Sequence, residues 1–149
     1  MNDLKELFKK RGLRITPQRE LIYRLLAKSK AHPTADHVFR EVREAFPSIS
    51  FNTVYKTVRT FEDQGLLQRF NTGENIYHYD ANVSPHPHII CLSCGRVDDI
   101  DDFPDNLENF ISKAETSSPY QIKSVNMHFY GYCPQCGDSN KKTHPKEEV

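Results

Sequence analysis

Apolar positions recur at helical spacing through the first half of the chain. Leu4, Leu7 and Phe8 share one face of a first helix, which Gly12 interrupts. Thr16-Pro17 reads as a helix start, a capping hydroxyl followed by proline at the first helical position. Leu21, Ile22, Leu25 and Leu26 then form a core-facing stripe, and His32-Pro33 ends the segment. Thr34 caps a third helix with the stripe Val38, Phe39, Val42 and Phe46, closed by Pro47. Ser50 caps a fourth helix that runs to Gly65. Val54, Val58 and Phe61 make its inner stripe, while Asn52, Thr53, Tyr55, Lys56 and Arg59 occupy its other faces. Two short alternating runs follow, residues 67–70 and 76–79, around Asn71-Thr72-Gly73-Glu74. That pattern predicts a β-hairpin, and helices followed by a hairpin predict a winged helix-turn-helix over residues 1–79.

From residue 80 the texture changes. Residues 80–85 form a short polar stretch ending in Pro85, read as a linker. Residues 88–92 and 96–100 predict strands, and residues 104–114 a helix with Leu107, Phe110 and Ile111 on one face. Residues 120–132 predict a long strand. Residues 138–149 are polar and charged and are expected to be a mobile tail. The second unit proper is therefore 86–137, and the fold class is α+β.

The chain has 149 residues, of which 37% are hydrophobic, and a mean hydropathy of −0.69. It can hold one domain or two small ones. No apolar run approaches membrane-spanning length, and the N-terminus lacks a signal-like apolar stretch, so a cytosolic protein is expected. The formal net charge of zero hides a division. Residues 1–79 carry 14 Lys+Arg against 9 Asp+Glu, and residues 80–149 carry 6 against 11. A basic first half suits nucleic acid and an acidic second half suits cations, although a difference of this size also arises by chance.

The four cysteines fall in two pairs, Cys91-Leu92-Ser93-Cys94 and Cys133-Pro134-Gln135-Cys136, separated by 38 residues. Two residues between thiolates let a tight turn present both sulfurs to one tetrahedral ion, the spacing of a structural zinc site. A strand–helix–strand insert would fill the gap. A second unit of this size has a marginal core, and zinc would supply the missing folding free energy. The alternatives are disulfides, disfavoured in the cytosol, or redox-active pairs, which would open a helix in a βαβ unit.

His86-Pro87-His88 lies just before Cys91. Residues i and i+2 on a strand face the same way, so both imidazoles can reach one ion. With His32, Asp80 and Asp99 they would make a nitrogen and oxygen site without thiolate, suited to iron(II) or manganese(II) as well as zinc. The plainer reading keeps His-Pro-His as a turn, His32 as a loop residue bonded to backbone, and the acids around Asp99 as a solvated loop.

Taken together, RITPQR (residues 14–19), AHPTAD (31–36), FNTVYKTVRTFEDQGL (51–66), HPHIICLSCG (86–95) and YGYCPQC (130–136) resemble the ferric-uptake-regulator family over residues 4–137. The resemblance implies a homodimeric repressor, with an N-terminal winged helix on palindromic operator DNA and a C-terminal α/β domain that dimerises. It implies one structural zinc ion per subunit on Cys91, Cys94, Cys133 and Cys136. It also implies one regulatory iron(II) or manganese(II) ion on His32, Asp80, His86, His88 and Asp99. Asp80 and Asp99 match the peroxide-stress branch, whereas iron-sensing members more often carry Glu at the last position. The zinc-sensing branch usually has a further cysteine in the regulatory site, and here all four belong to the ribbon. An additional metal site of some members needs an acid at Pro87 and a histidine at Val125, and is not expected.

In the peroxide-sensing branch iron(II) and peroxide oxidise a ligand histidine, by resemblance His32 or His86. The ion then leaves and repression lifts. The sensor is consumed without turnover, so no enzyme is expected. The rival readings are an iron-availability repressor and, from another class, a CxxC redox or zinc-storage protein that binds no DNA. For DNA contacts the resemblance and helix geometry point to Tyr55 and Lys56, with Asn52, Thr53 and Arg59 beside them. Arg14, Thr16, Gln18 and Arg19 would lie on backbone phosphates near a helix N-terminus. Lys56 stands where relatives often have Arg or Asn, which leaves the operator open. Tyr55 has an alternative role as a half-buried core ring, and Arg69 on the wing would meet phosphate or solvent.

Overall fold

Thr16, Thr34 and Ser50 each cap a helix in the computed structural model, which describes residues 2–72, 75–100, 107–123 and 125–137. The Thr16 hydroxyl accepts from the Arg19 amide ahead of α2 (Pro17–Lys28), and Thr34 accepts from the His37 amide ahead of α3 (Ala35–Ala45). Ser50 accepts from the Thr53 amide ahead of α4 (Phe51–Asp63). Each hydroxyl satisfies one amide that the first helical turn leaves without an intrahelical acceptor. The first helix, α1, spans Asn2–Lys10. It and α4 end alike: Leu13 donates to the Phe8 carbonyl at 2.8 Å and Leu66 to the Phe61 carbonyl at 2.8 Å. The intervening Gly12 and Gly65 sit at φ +66° and +64°, a left-handed turn that glycine adopts without steric cost.

The chain divides into two compact units, residues 1–83 and 84–149. In the first, the expected stripes face a common core of Phe8, Ile22, Leu26, Val38, Val42, Val54, Val58, Phe61 and Tyr79, with their neighbours. Phe8, Tyr23 and Phe61 pack as an aromatic trio with centroids 5.4–5.6 Å apart. An antiparallel hairpin, β1 (Gln68–Asn71) and β2 (Tyr77–Asp80), completes the winged helix-turn-helix, with Phe70 opposite His78 and Gln68 opposite Asp80. Both strands lie one residue later than the sequence pattern suggests. Leu67 is buried beneath the end of α4 and packs in the core, so the ladder begins after it. Asp80 therefore belongs to the wing and not to a linker.

The second unit holds a three-stranded sheet of order β4-β3-β5. β3 (Pro87–Cys91) pairs antiparallel with β4 (Val97–Asp99) and parallel with β5 (Met127–Gly131). A parallel neighbour needs a long crossover, and α5 (Leu107–Thr116) lies within it. The last strand is much shorter than the expected 120–132. Ahead of it, the Ile122 amide is taken by the Glu115 carboxylate at 2.9 Å, which ties that stretch to α5 instead of a ladder. Phe110, placed by the pattern on an apolar face of α5, is 64% exposed. A short helical turn, α6 (Pro134–Gly137), carries the last cysteine, a turn the apolar pattern does not register. The expected tail 138–149, the Gly73-Glu74 turn and the start of the 104–114 helix lie outside the described residues. Among the described residues no helix is long and apolar enough to cross a membrane.

Candidate metal centres and DNA-facing surface

β3 ends at Cys91, the following turn delivers Cys94, and β5 delivers Cys133 at the entry to α6, which holds Cys136. All four thiols are free, and their sulfurs lie within 4.8 Å of one another. The Cys94 and Cys133 sulfurs are 3.9 Å apart. A tetrahedron of Zn–S bonds places sulfurs about 3.8 Å apart, so the four clustered sulfurs fit the ligand shell of one ion. The Cys133 amide donates to the Cys91 sulfur at 3.4 Å. Backbone amides of Cys133, Cys94 and Ser93 hold the Cys91 thiol down to about 6 against burial. At Cys136 a Ser93 hydrogen bond pulls the thiol down, but the sulfurs of Cys133, Cys94 and Cys91, with burial, push it up to about 12. Crowded thiols thus resist further ionisation, and a divalent cation is what would stabilise four thiolates at once.

In the first unit, His32 lies in the turn after α2, with its side chain only 1% exposed and φ +46°. Its Nε2 is 3.7 Å from Asp80 Oδ2. The Asp80 carboxylate is itself oriented, accepting from Gln68 Nε2 at 3.0 Å and from the Asn82 amide at 2.7 Å. In the second unit, His86 and His88 bring their rings to a centroid separation of 4.4 Å. Both Nε2 atoms approach the same oxygen of Asp99, at 3.1 and 3.5 Å, because β3 and β4 pair His88 opposite Asp99. Each unit thus gathers nitrogen and oxygen donors without sulfur, a donor set that accommodates iron(II) and manganese(II).

Tyr55 and Lys56 project from the exposed side of α4, with Tyr55 38% exposed. The ring of Tyr55 stacks on exposed Phe51 at 6.2 Å, so it is a surface ring and not a core one. Asn52 and Thr53 are exposed beside them, although the Thr53 hydroxyl is bonded to Ser50 at 2.8 Å. Arg59 faces Glu62 at 3.6 Å. Near the start of α2, Arg14 is exposed, Gln18 and Arg19 are partly exposed, and Arg19 donates to the Arg14 carbonyl at 2.9 Å. The Thr16 hydroxyl is spent on its cap. On the wing, Arg69 pairs with Glu62 at 3.0 Å and lies over the Tyr77 ring at 4.6 Å, rather than reaching freely into solvent.

Sequence reasoning passes over several residues. Gln68 orients Asp80, Phe51 stacks on Tyr55, and His78 and Phe70 pack around His32. Burial pushes the His78 imidazole below its ordinary value, with the His32 carbonyl opposing. The alternating run Tyr77-His78-Tyr79-Asp80 is their faint signal, since Asp80 and His78 share a strand face.

A model of the ferric uptake regulator family matches residues 10–138. The chain is 41% identical over 139 residues to a Clostridium acetobutylicum protein described as the transcriptional regulator PerR, spanning 93% of this chain and 99% of that one. It is 36% identical over 127 residues to the peroxide-responsive repressor PerR of Staphylococcus aureus strain Mu50, spanning 85% and 84%. Its fold matches the crystal structure of the Campylobacter jejuni peroxide stress regulator with a TM-score of 0.71 at 28% identity, over 91% and 97% of the two chains.

Proposed function

The chain belongs to the ferric uptake regulator family, and from that premise we propose that it is a metal-dependent transcriptional repressor that releases its operator when hydrogen peroxide oxidises a ligand histidine. The observation that carries this reading is the convergence of His86 and His88 on one Asp99 oxygen, at 3.1 and 3.5 Å. That is a sulfur-free donor group ending in the shorter of the two acids, in a chain with relatives named peroxide-responsive repressors.

Cys91, Cys94, Cys133 and Cys136 would hold a structural zinc ion. His32 and Asp80 from the first unit, with His86, His88 and Asp99 from the second, would hold one regulatory iron(II) or manganese(II) ion. Bound iron(II) would supply the one chemistry the side chains lack, reduction of peroxide to an oxidant beside the ligand imidazoles. The chain's own part is placement. His32 and His86 present the rings that take up oxygen, Asp80 and Asp99 supply the anionic ligands, and Gln68 keeps Asp80 turned toward His32. An oxidised imidazole is a poor nitrogen donor, so oxidation of His32 or His86 would weaken the hold of these residues on the ion. Because the histidine is consumed, the step is a signal without turnover.

For DNA, α4 would enter the major groove with Tyr55 and Lys56 leading and Asn52, Thr53 and Arg59 alongside. Arg14, Gln18 and Arg19 would bind phosphate, with Thr16 capping the helix behind them. A homodimer would set two such helices on a palindrome, in the cytoplasm where the chromosome lies. Phe110, Phe129, Tyr130 and Tyr132 are exposed on the second unit, and a partner copy would cover apolar surface of this kind.

The test is twofold. Binding to a palindromic duplex should require added manganese or iron and should weaken steeply with salt. After iron and peroxide, peptides bearing His32 or His86 should gain one oxygen as DNA binding is lost. Absence of metal-dependent DNA binding would remove the repressor reading altogether. Repression that ignores peroxide and follows iron supply would replace it with an iron-availability repressor.

A further inference from the structure

His32 is a histidine held in the left-handed backbone region, at φ +46°, a conformation that persists in a non-glycine residue only when its surroundings over-determine it. The surroundings are the wing. The Nδ1 of His78, in β2, lies 2.5 Å from the His32 carbonyl oxygen. A carbonyl only accepts, so Nδ1 carries the proton and donates, which fixes the His78 tautomer. The next residues repeat the tie, because Thr34 bridges His78 in antiparallel fashion and the Tyr79 amide donates to the Pro33 carbonyl at 3.2 Å. From β1, the Phe70 ring meets the His32 imidazole edge-on at 5.5 Å and stacks on His78 at 5.9 Å with an interplanar angle of 12°. Asp80, two residues beyond His78 on the same strand face, lies 3.7 Å from His32 Nε2.

We propose that His78 is a positioning residue of the regulatory metal centre: its Nδ1–H clamps the His32 carbonyl and thereby holds the strained turn that presents the His32 imidazole beside Asp80. The inference rests on the reading of His32 and Asp80 as ligands. It adds a physical link, because the strand that bears Asp80 also fixes the backbone of His32, and both ligands move with the wing. His78 is not itself a ligand here; its role is spent on a backbone oxygen.

The clamp has two separable parts, the donor and the ring stack. His78→Phe keeps a ring against Phe70 and removes the donor. His78→Asn places an amide N–H where Nδ1 stood and removes the ring. Manganese(II) is titrated into the full-length, zinc-loaded protein, and free ion is read from its six-line electron paramagnetic resonance spectrum. His78→Phe should weaken manganese binding by about tenfold or more, the usual effect of losing a partner that orients a ligand, and His78→Asn should stay close to the parent. Parent-like affinity in His78→Phe overturns the proposal, as does a loss in His78→Asn as large as that in His78→Phe. Zinc content and far-ultraviolet circular dichroism check that the variants fold. Should His78→Phe not fold, nitrogen-15 histidine spectra of the parent decide. A His78 Nδ1–H protected from exchange supports the clamp, and a ring protonated only at Nε2 overturns it. His32→Ala, which should lose manganese binding outright, tests the underlying reading separately. If His32→Ala binds like the parent, it is the ligand assignment that fails.

Discussion

Asp99 shows how much one side chain decides. Its Oδ1 lies 3.1 Å from His86 Nε2 and 3.5 Å from His88 Nε2, so the reach of this carboxylate sets where a shared ion would sit. Asp99→Glu adds one carbon–carbon bond, about 1.5 Å, and shifts the oxygen relative to both imidazoles. Metal-dependent DNA binding should survive in Asp99→Glu, while oxygen uptake on the His32 and His86 peptides should fall. An Asp99→Glu protein as peroxide-sensitive as the parent counts against the assignment. Tyr23 offers a test far from the metal. Burial holds its phenol above the ordinary value, against the pull of Arg11. The folded chain therefore keeps that proton more tightly than the unfolded chain, whose tyrosines titrate near pH ~10. The resulting stability is fully present below that pH and is lost as the pH rises from there through the higher pKa of the folded chain. The denaturant midpoint of the parent should fall above that point. Tyr23→Phe should flatten the alkaline slope, and an unchanged slope would place its origin elsewhere.

Whole elements were the most legible part of this chain, because capping hydroxyls and the apolar repeat specify the same boundaries. Ser50 illustrates the agreement: its Oγ accepts from the Thr53 amide at 3.1 Å and meets the Thr53 hydroxyl at 2.8 Å. Ser50→Ala should cost about 1 kcal/mol and lower the melting temperature of the first unit by roughly 4–8 °C, read by helical circular dichroism. A shift below a degree would mean that Thr53 or solvent replaces the cap. The strands were less legible. Leu67 and Ile76 have the right character for a ladder, yet Leu67 is drawn into the core and Ile76 stays 46% exposed outside it, which moves the wing by one residue. Residues 120–123 alternate like a strand but are tied to Glu115 through Ile122. The clusters of candidate donors were legible as chemistry, through CxxC spacing and the paired histidines. The groups bonded to them were not, because Gln68 meets Asp80 through wing register and His78 meets a backbone carbonyl of His32, neither of which leaves a composition signal.

The two units differ in what holds them together. The first buries a continuous set from Phe8 to Tyr79, thirteen apolar residues in one cluster. In the second, the buried hydrophobics among the described residues are Ile90, Cys91 and Val97, and one of these is a sulfur donor. So small a buried set is a marginal core for a unit of this size. A four-thiolate zinc site supplies about 10–16 kcal/mol of apparent binding free energy at pH 7, comparable to the whole stability of an ordinary domain. Zinc is in this sense the missing core of the second unit. Removing it with a strong chelator should collapse that unit while the first retains its helices and its cooperative melt. Strand circular dichroism, protease resistance after residue 84, and dimer mass by sedimentation should fall together, whereas helical signal at 222 nm should largely persist. Returning zinc under reducing conditions should restore all three. A zinc-free protein that keeps its dimer mass and protease resistance would show that the exposed aromatics Phe110, Phe129, Tyr130 and Tyr132 hold the second unit through the partner copy alone, with the cysteines free for another task.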